Sequence, residues 1–279
     1  MKNSHSTILA FMLSIIGVLA VFPSLYKLIF IILIYLCFLY GVCRLFKKAF
    51  PLRRSFTVCI AVSIIIFYFF TAVTSIGNKP LLYENCAPKD YYCNLAVSLM
   101  NGKMGEIEIP KDTTTDPSWW WDLIAYGNKL YMYWGITPAL TFFIPVKMLT
   151  GYNLHQSLCI ALFISIGYIF SLLVLALLIE KSLLKSIPDL YWYLSVVCLG
   201  FCTFFPYILR TPQVYAIPIA SGFCFSMGSI WLLLKAQYSS DKKYQKTIFL
   251  FLSGLFCALA VGCRPHLIII TLFALLYFV

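Results

Sequence analysis

The sequence predicts an all-α fold, a polytopic bundle of transmembrane helices, on three observations. Of 279 residues, 62% are hydrophobic and only 11% charged, whereas soluble domains are about half apolar and about a quarter charged. Long apolar runs recur along the chain, several near the roughly 20 residues that a helix needs to cross a bilayer. Basic residues gather in short loops between those runs, which is how topology is set in membranes.

The apolar runs are Thr7–Pro23, Leu28–Leu45, Phe56–Ile76, Ile136–Leu149, Leu154–Ile179, Leu190–Leu209, Val214–Leu234, Thr247–Cys263 and Leu267–Val279. The last ends without a basic flank, so the chain is expected to be part of a longer protein. The first run is long and a second follows without a small-residue cleavage pattern, which does not describe a cleaved signal peptide.

The loop from Arg44 to Arg54 carries Arg44, Lys47, Lys48, Arg53 and Arg54 and no acid, so it belongs in the cytoplasm. Phe56–Ile76 then runs outward. If Ile136–Leu149 spanned the membrane, Lys235, Lys242, Lys243 and Lys246 would fall outside. That segment contains Pro138, Pro145 and Lys147, and runs of about 10–14 residues are usually interfacial or re-entrant. Residues 77–153 are therefore expected to form one external loop containing a membrane-lying helix. Two parts follow: an N-terminal transmembrane hairpin with its basic loop over 1–55, and a transmembrane core over 56–279.

Residues 77–153 differ from the remainder. Seven of the ten acidic residues fall there: Glu84, Asp90, Glu106, Glu108, Asp112, Asp116 and Asp122. Trp119, Trp120, Trp121, Trp134 and many tyrosines accompany them, too aromatic a composition for disorder. Long loops in compact proteins are usually functional or disordered, so function is expected here. The net charge of +11 does not indicate nucleic acid, because scattered loop lysines and arginines assemble no basic groove with stacking aromatics. Nine cysteines lie in or beside apolar runs and act as small hydrophobes. Cys86 and Cys93 alone sit in a polar loop, where a disulfide can form if the loop is outside. No Cys/His spacing suits a metal.

The loop reads Asp90-Tyr-Tyr-x-x-Leu-Ala-x-x-Leu-x-x-Gly102, then Trp121-Asp122, then Gly127-Asn-Lys-Leu-Tyr131-Met-Tyr133-Trp-Gly135-Ile-Thr-Pro138-Ala-Leu. This order resembles the first external loop of GT-C glycosyltransferases, the class of the protein O-mannosyltransferases and aminoarabinose lipid A transferases. Arg210-Thr-Pro-Gln-Val-Tyr215 and Gly262-Cys-Arg264-Pro265 extend the resemblance over about Phe56–Val279. Many members open the loop with two adjacent acids; here Lys89-Asp90-Tyr91 supplies one. The resemblance implies a GT-C bundle in which Pro138–Thr150 is an amphipathic interfacial helix closing at Gly151. It implies transfer of a sugar from a polyprenyl-phosphate carrier to a glycan, lipid or protein acceptor. The expected place is the outer face of a bacterial plasma membrane. Some members use a divalent cation; no spacing here demands one, so no cofactor is assigned.

Such chemistry needs a carboxylate to take the acceptor's proton and cations to stabilise the departing phosphate. Asp90, opening a helix over Asp90–Met100, is the first candidate base, against a plain N-cap role. Asp122 beside the tryptophans is the second, and Glu84 the reserve. Arg210 and Arg264 sit at outer helix ends, where topology does not explain them, and arginine binds phosphate bidentately; snorkelling to headgroups is the bland alternative. His266 is placed to assist. Lys129, Tyr131 and Tyr133 alternate, as an extended stretch presents residues on one face; they line a sugar pocket or anchor the interface. The competing functions are a lipid-linked-sugar transporter, expected to show inverted repeats and helices broken at mid-membrane, and a non-catalytic membrane subunit.

Overall fold

The computed structural model describes residues 54–87, 90–103, 106–107, 123–126, 129–181, 187–238, 243–270 and 272. The chain divides into two compact units, Met1–Val62 and Ser63–Val279. The boundary falls inside the first described helix rather than at its start. The expected N-terminal hairpin, the tryptophans 119–121 and Asp122 lie outside the described residues.

The described chain is mostly helical. Helix α1 is Arg54–Ile76. The loop that follows holds β1 (Leu82–Tyr83), α2 (Tyr91–Met100), β2 (Glu106–Ile107), β3 (Leu123–Tyr126), β4 (Lys129–Met132), α3 (Ala139–Thr150) and β5 (Asn153–Leu154). Then come α4 (Gln156–Lys181), α5 (Asp189–Phe201), α6 (Phe205–Arg210), α7 (Ala216–Tyr238) and α8 (Lys243–Cys263).

Among the described residues, five spans are long and apolar enough to cross a membrane: Thr57–Ile76, Gln156–Lys181, Asp189–Arg210, Ala216–Tyr238 and Tyr244–Cys263. They match five of the apolar runs, and the protein is accordingly a membrane protein. Ala139–Thr150 is a shorter apolar helix. Its first turn, Ala139–Phe143, is wound wide as a π-helix just ahead of Pro145, whose ring crowds the carbonyl one turn back. Gly151, at φ 76°, ends it and returns its N–H to the Lys147 carbonyl, a left-handed cap that glycine adopts without strain.

The run Leu190–Leu209 differs from a plain span. It is broken between α5 and α6, with Pro206 in the opening turn of the second piece. A proline there offers no N–H to the Cys202 carbonyl one turn back. Two tyrosines donate to carbonyls near the break: Tyr68 of α1 to the Gly200 carbonyl at 2.6 Å and Tyr168 of α4 to the Val196 carbonyl at 3.0 Å. Both are fully buried and meet edge to face at 6.1 Å. Broken helices persist in membranes only where freed backbone groups are met in this way.

Helix α7 is the centre of the bundle, packed on α4 and α8 and 67% buried over its membrane window. Ser229 and Ser253 exchange hydroxyl-to-carbonyl bonds of 3.0 Å between α7 and α8. Such pairs are worth about 1 kcal/mol in lipid, where little but packing draws helices together.

The loop is fastened at its root. β1 pairs antiparallel with β5, Leu82 opposite Leu154 and Tyr83 opposite Asn153, and His155 N–H donates to the Leu81 carbonyl at 3.0 Å. A second sheet has the order β2-β4-β3. The strand Lys129–Met132 contains Lys129 and Tyr131 of the expected extended stretch and ends before Tyr133.

Candidate functional site

Asp90 precedes α2 at φ −87° and ψ 70°, and its side chain makes no cap bond. An aspartate there ordinarily turns onto the free N–H groups of the first turn. Instead Oδ2 accepts a 2.7 Å bond from the Tyr83 hydroxyl. The same hydroxyl lies 3.4 Å from the Leu154 carbonyl. The backbone at Asp90 is fixed by its N–H bond to the Ala87 carbonyl at 2.9 Å and by the Cys86–Cys93 disulfide, which brackets it. Asp90, Tyr83, Tyr92, Gln156 and Ile217 line a narrow crevice.

His155 caps α4 on the other side of this corner. Its Nδ1 accepts the Ser157 N–H at 3.2 Å. Burial lowers the imidazole pKa, the Asp90 charge pulls it up, and Lys79 pushes it down. Burial raises the Tyr83 phenol well above its ordinary value, and the Asp90 charge raises it further. The Tyr83 hydroxyl is thus a permanent donor at neutral pH.

A wider cavity of about 400 Å³ lies beside the end of α8, lined by Tyr133, Trp134, Tyr215, Arg264, Pro265 and His266. Its volume is in the range of small-molecule sites. Arg264 Nη2 donates to the Tyr215 carbonyl at 3.2 Å, while Nε is buried with no partner among the described residues. A guanidinium N–H left so is costly unless something accepts from it, and its planar fork suits a phosphate or carboxylate.

The two spaces are joined by one chain of contacts. Tyr92, in the wall of the crevice, donates its hydroxyl to the Gly135 carbonyl at 3.2 Å, and Gly135 N–H donates to the Cys263 carbonyl at 3.3 Å. Tyr91 stacks on Trp134 at 6.4 Å and Tyr92 on Phe143 at 6.0 Å. Burial raises the Tyr92 phenol, and the Arg264 charge acts in the opposite direction, a sign that the guanidinium is close. Gly135 has room for no side chain, because a Cβ would overlap the Gly262 backbone.

Of the residues singled out from sequence, Asp90, Arg264, Tyr133 and His266 come together in this region. Tyr131 is half-buried in β4, opposite Glu106 and Ile124, and lines neither space. Lys129 pairs with Tyr126 at the end of that strand. Arg210 is exposed at the C-terminus of α6 and lines neither space. Glu84 is exposed; its backbone carbonyl accepts from Asn153 Nδ2 at 2.8 Å. Asp122 lies outside the described residues. No cluster suited to a metal occurs among the described residues. Tyr83, Gln156 and His155 escaped the sequence reading, because the β1–β5 pairing that places them is not announced by two-residue strands; Tyr92 stood in the Asp90-Tyr-Tyr motif but was given no role.

These features define a polytopic membrane protein with a carboxylate crevice and an arginine-lined cavity at one end of its bundle. No protein-family profile, curated protein or solved structure matches the chain.

Proposed function

We propose that the chain is a membrane glycosyltransferase of GT-C type, moving a sugar from a polyprenyl-phosphate donor to an acceptor on the extracytoplasmic face. The observation that carries this reading is a carboxylate, Asp90, that does not cap its helix, in a crevice linked through Tyr92, Gly135 and Cys263 to the cavity of Arg264, whose Nε has no partner among the described residues. Asp90 takes the proton of the acceptor hydroxyl as its oxygen bonds to the anomeric carbon. The bond from that carbon to the phosphate oxygen breaks, and the phosphate leaves against Arg264, with His266 beside it. Trp134 and Tyr133 offer aromatic faces to the sugar. The crevice is narrow, so the reading requires it to widen when the acceptor enters.

Placement on the outer face is supported by two features. The basic stretches Arg44–Arg54 and Lys235–Lys246 fall on the side opposite the loop when the helices alternate, as the positive-inside rule asks. The Cys86–Cys93 bridge suits an oxidising compartment, and a bacterial plasma membrane is the host we favour.

The test is release of labelled sugar from a panel of polyprenyl-phosphate sugars in proteoliposomes, with the full chain beside Asp90→Asn and Arg264→Ala. Turnover in the parent that is lost in Asp90→Asn supports the reading. Turnover surviving in Asp90→Asn removes Asp90 as base. An accessory role leaves both variants as competent as the parent in the cell.

A further inference from the structure

We propose that Tyr83 is a positioning residue that aims the Asp90 carboxylate, an inference that rests on Asp90 acting as the base. Asp90 occupies a position where its carboxylate is normally captured by its own helix. The orphan N–H groups at the start of α2 attract an anion both by hydrogen bonding and through the helix dipole. A carboxylate held that way is a cap, with its lone pairs spent on amides. In this protein the carboxylate makes no such bond, and the phenol of Tyr83 holds Oδ2 at 2.7 Å. That is a short, charge-assisted bond of the stronger kind. It engages one oxygen and leaves the other to meet an acceptor.

The phenol can do this because it is itself fixed. Tyr83 is locked in β1 opposite Asn153. Asn153 is 4% exposed and donates through Nδ2 to the Glu84 carbonyl. The hydroxyl lies between Asp90 and the Leu154 carbonyl. On the other side the disulfide holds the turn before α2 to its first turn, so Asp90 does not drift toward Tyr83 or away from it. Tyr83 therefore competes with the helix terminus for the carboxylate, and wins because both ends of the bond are anchored.

This competition gives a readout that separates aiming from structural support. In Tyr83→Phe the ring keeps its packing but releases the carboxylate, which returns to cap α2. The expected result in proteoliposomes is a kcat about 10- to 100-fold lower, as for a small misplacement of a catalytic group. The donor KM stays within about twofold and the thermal midpoint is not lowered, since a cap is regained. Tyr83→Phe with an unchanged kcat overturns the proposal. So does a fall in kcat that comes with a raised KM and a lowered midpoint, which marks Tyr83 as structural support only. Asp90→Asn is run alongside. If it turns over at the parent rate, the catalytic reading of Asp90 fails. If it is inactive while Tyr83→Phe is unimpaired, only the aiming role fails.

Discussion

Gly135 and Gly262 meet backbone against backbone, so that a Cβ on the first would overlap the carbonyl of the second, and a Cβ on the second would overlap the Thr137 hydroxyl. This contact sets the loop on the end of α8, next in sequence to Trp134 and Cys263, which line the Arg264 cavity. Gly135→Ala is expected to push the Tyr133–Thr137 stretch off the helix. The cost is about 1–3 kcal/mol, as for overpacking of a filled core. A lowered denaturation midpoint in micelles, with weakened donor binding, checks it.

Arg264 should matter in two ways. Its Nη2 bond to the Tyr215 carbonyl is structural, and its Nε is buried without a partner among the described residues. Arg264→Lys keeps the charge but loses the planar fork. We expect donor binding to weaken about tenfold in Arg264→Lys and about 100-fold in Arg264→Ala, on the scale of a charged hydrogen bond. Isothermal titration with a polyprenyl-phosphate sugar measures both.

His155 gives the fold a pH dependence with a definite sign. Burial lowers its pKa from the ordinary 6.5, so the folded chain holds the proton less tightly than the unfolded chain. Stability from this group is full above about pH 6.5 and is lost as pH falls below that value. The Ser157 N–H bond to Nδ1 also requires an unprotonated nitrogen there. The thermal midpoint is expected to drop on acidification from pH 7 to pH 5, and His155→Asn, which keeps a capping acceptor, should flatten that part of the drop.

The Cys86–Cys93 bridge tests the side of the membrane on which the loop lies. In intact cells an impermeant phosphine is expected to open it and render both cysteines reactive to an impermeant maleimide. Cys93→Ser should lower stability by about 2 kcal/mol, the value of closing a short loop. Protection of both thiols after impermeant reduction places the loop inside and removes the extracytoplasmic assignment.

Tyr68→Phe strips the Gly200 carbonyl of its 2.6 Å donor beside the α5–α6 break, leaving the Thr203 hydroxyl at 3.4 Å. A loss of about 1–2 kcal/mol is expected. Unfolding of the variant in mixed micelles is the measurement.

Much of the helical frame was legible in the sequence because a span is a local property: apolar length and flanking charge suffice. The short helix α3 was expected from Pro138, Pro145 and Lys147 in a run too short to span, and its end at Gly151 from the resemblance alone. The break before α6 was not read, although Pro206 signalled it; an apolar run keeps its hydropathy through a break. At the site, Arg264 was legible as a charge in a place that topology does not explain, and Asp90 as the acid that opens a helix and the motif carrying the resemblance. Their partners were not. Tyr83 meets Asp90 only because Leu82 pairs with Leu154, a contact between distant segments carried by backbone groups that have no side-chain pattern. Arg210 shared the reasoning applied to Arg264 but faces outward, since α6 ends in an exposed turn rather than against the loop.

The β1–β5 pair has a consequence for how the chain can be rebuilt. Because Leu82 and Leu154 lie side by side, the polypeptide between them leaves and re-enters the bundle at a single doorway. In topological terms it is an insert hung on a two-rung stem. Loop-closure entropy grows only with the logarithm of length, so lengthening or exchanging the insert changes little for α1 and α4 as long as the stem survives. The helical frame and the inserted loop can therefore diversify at different rates, one answering to the lipid and the other to whatever it must recognise.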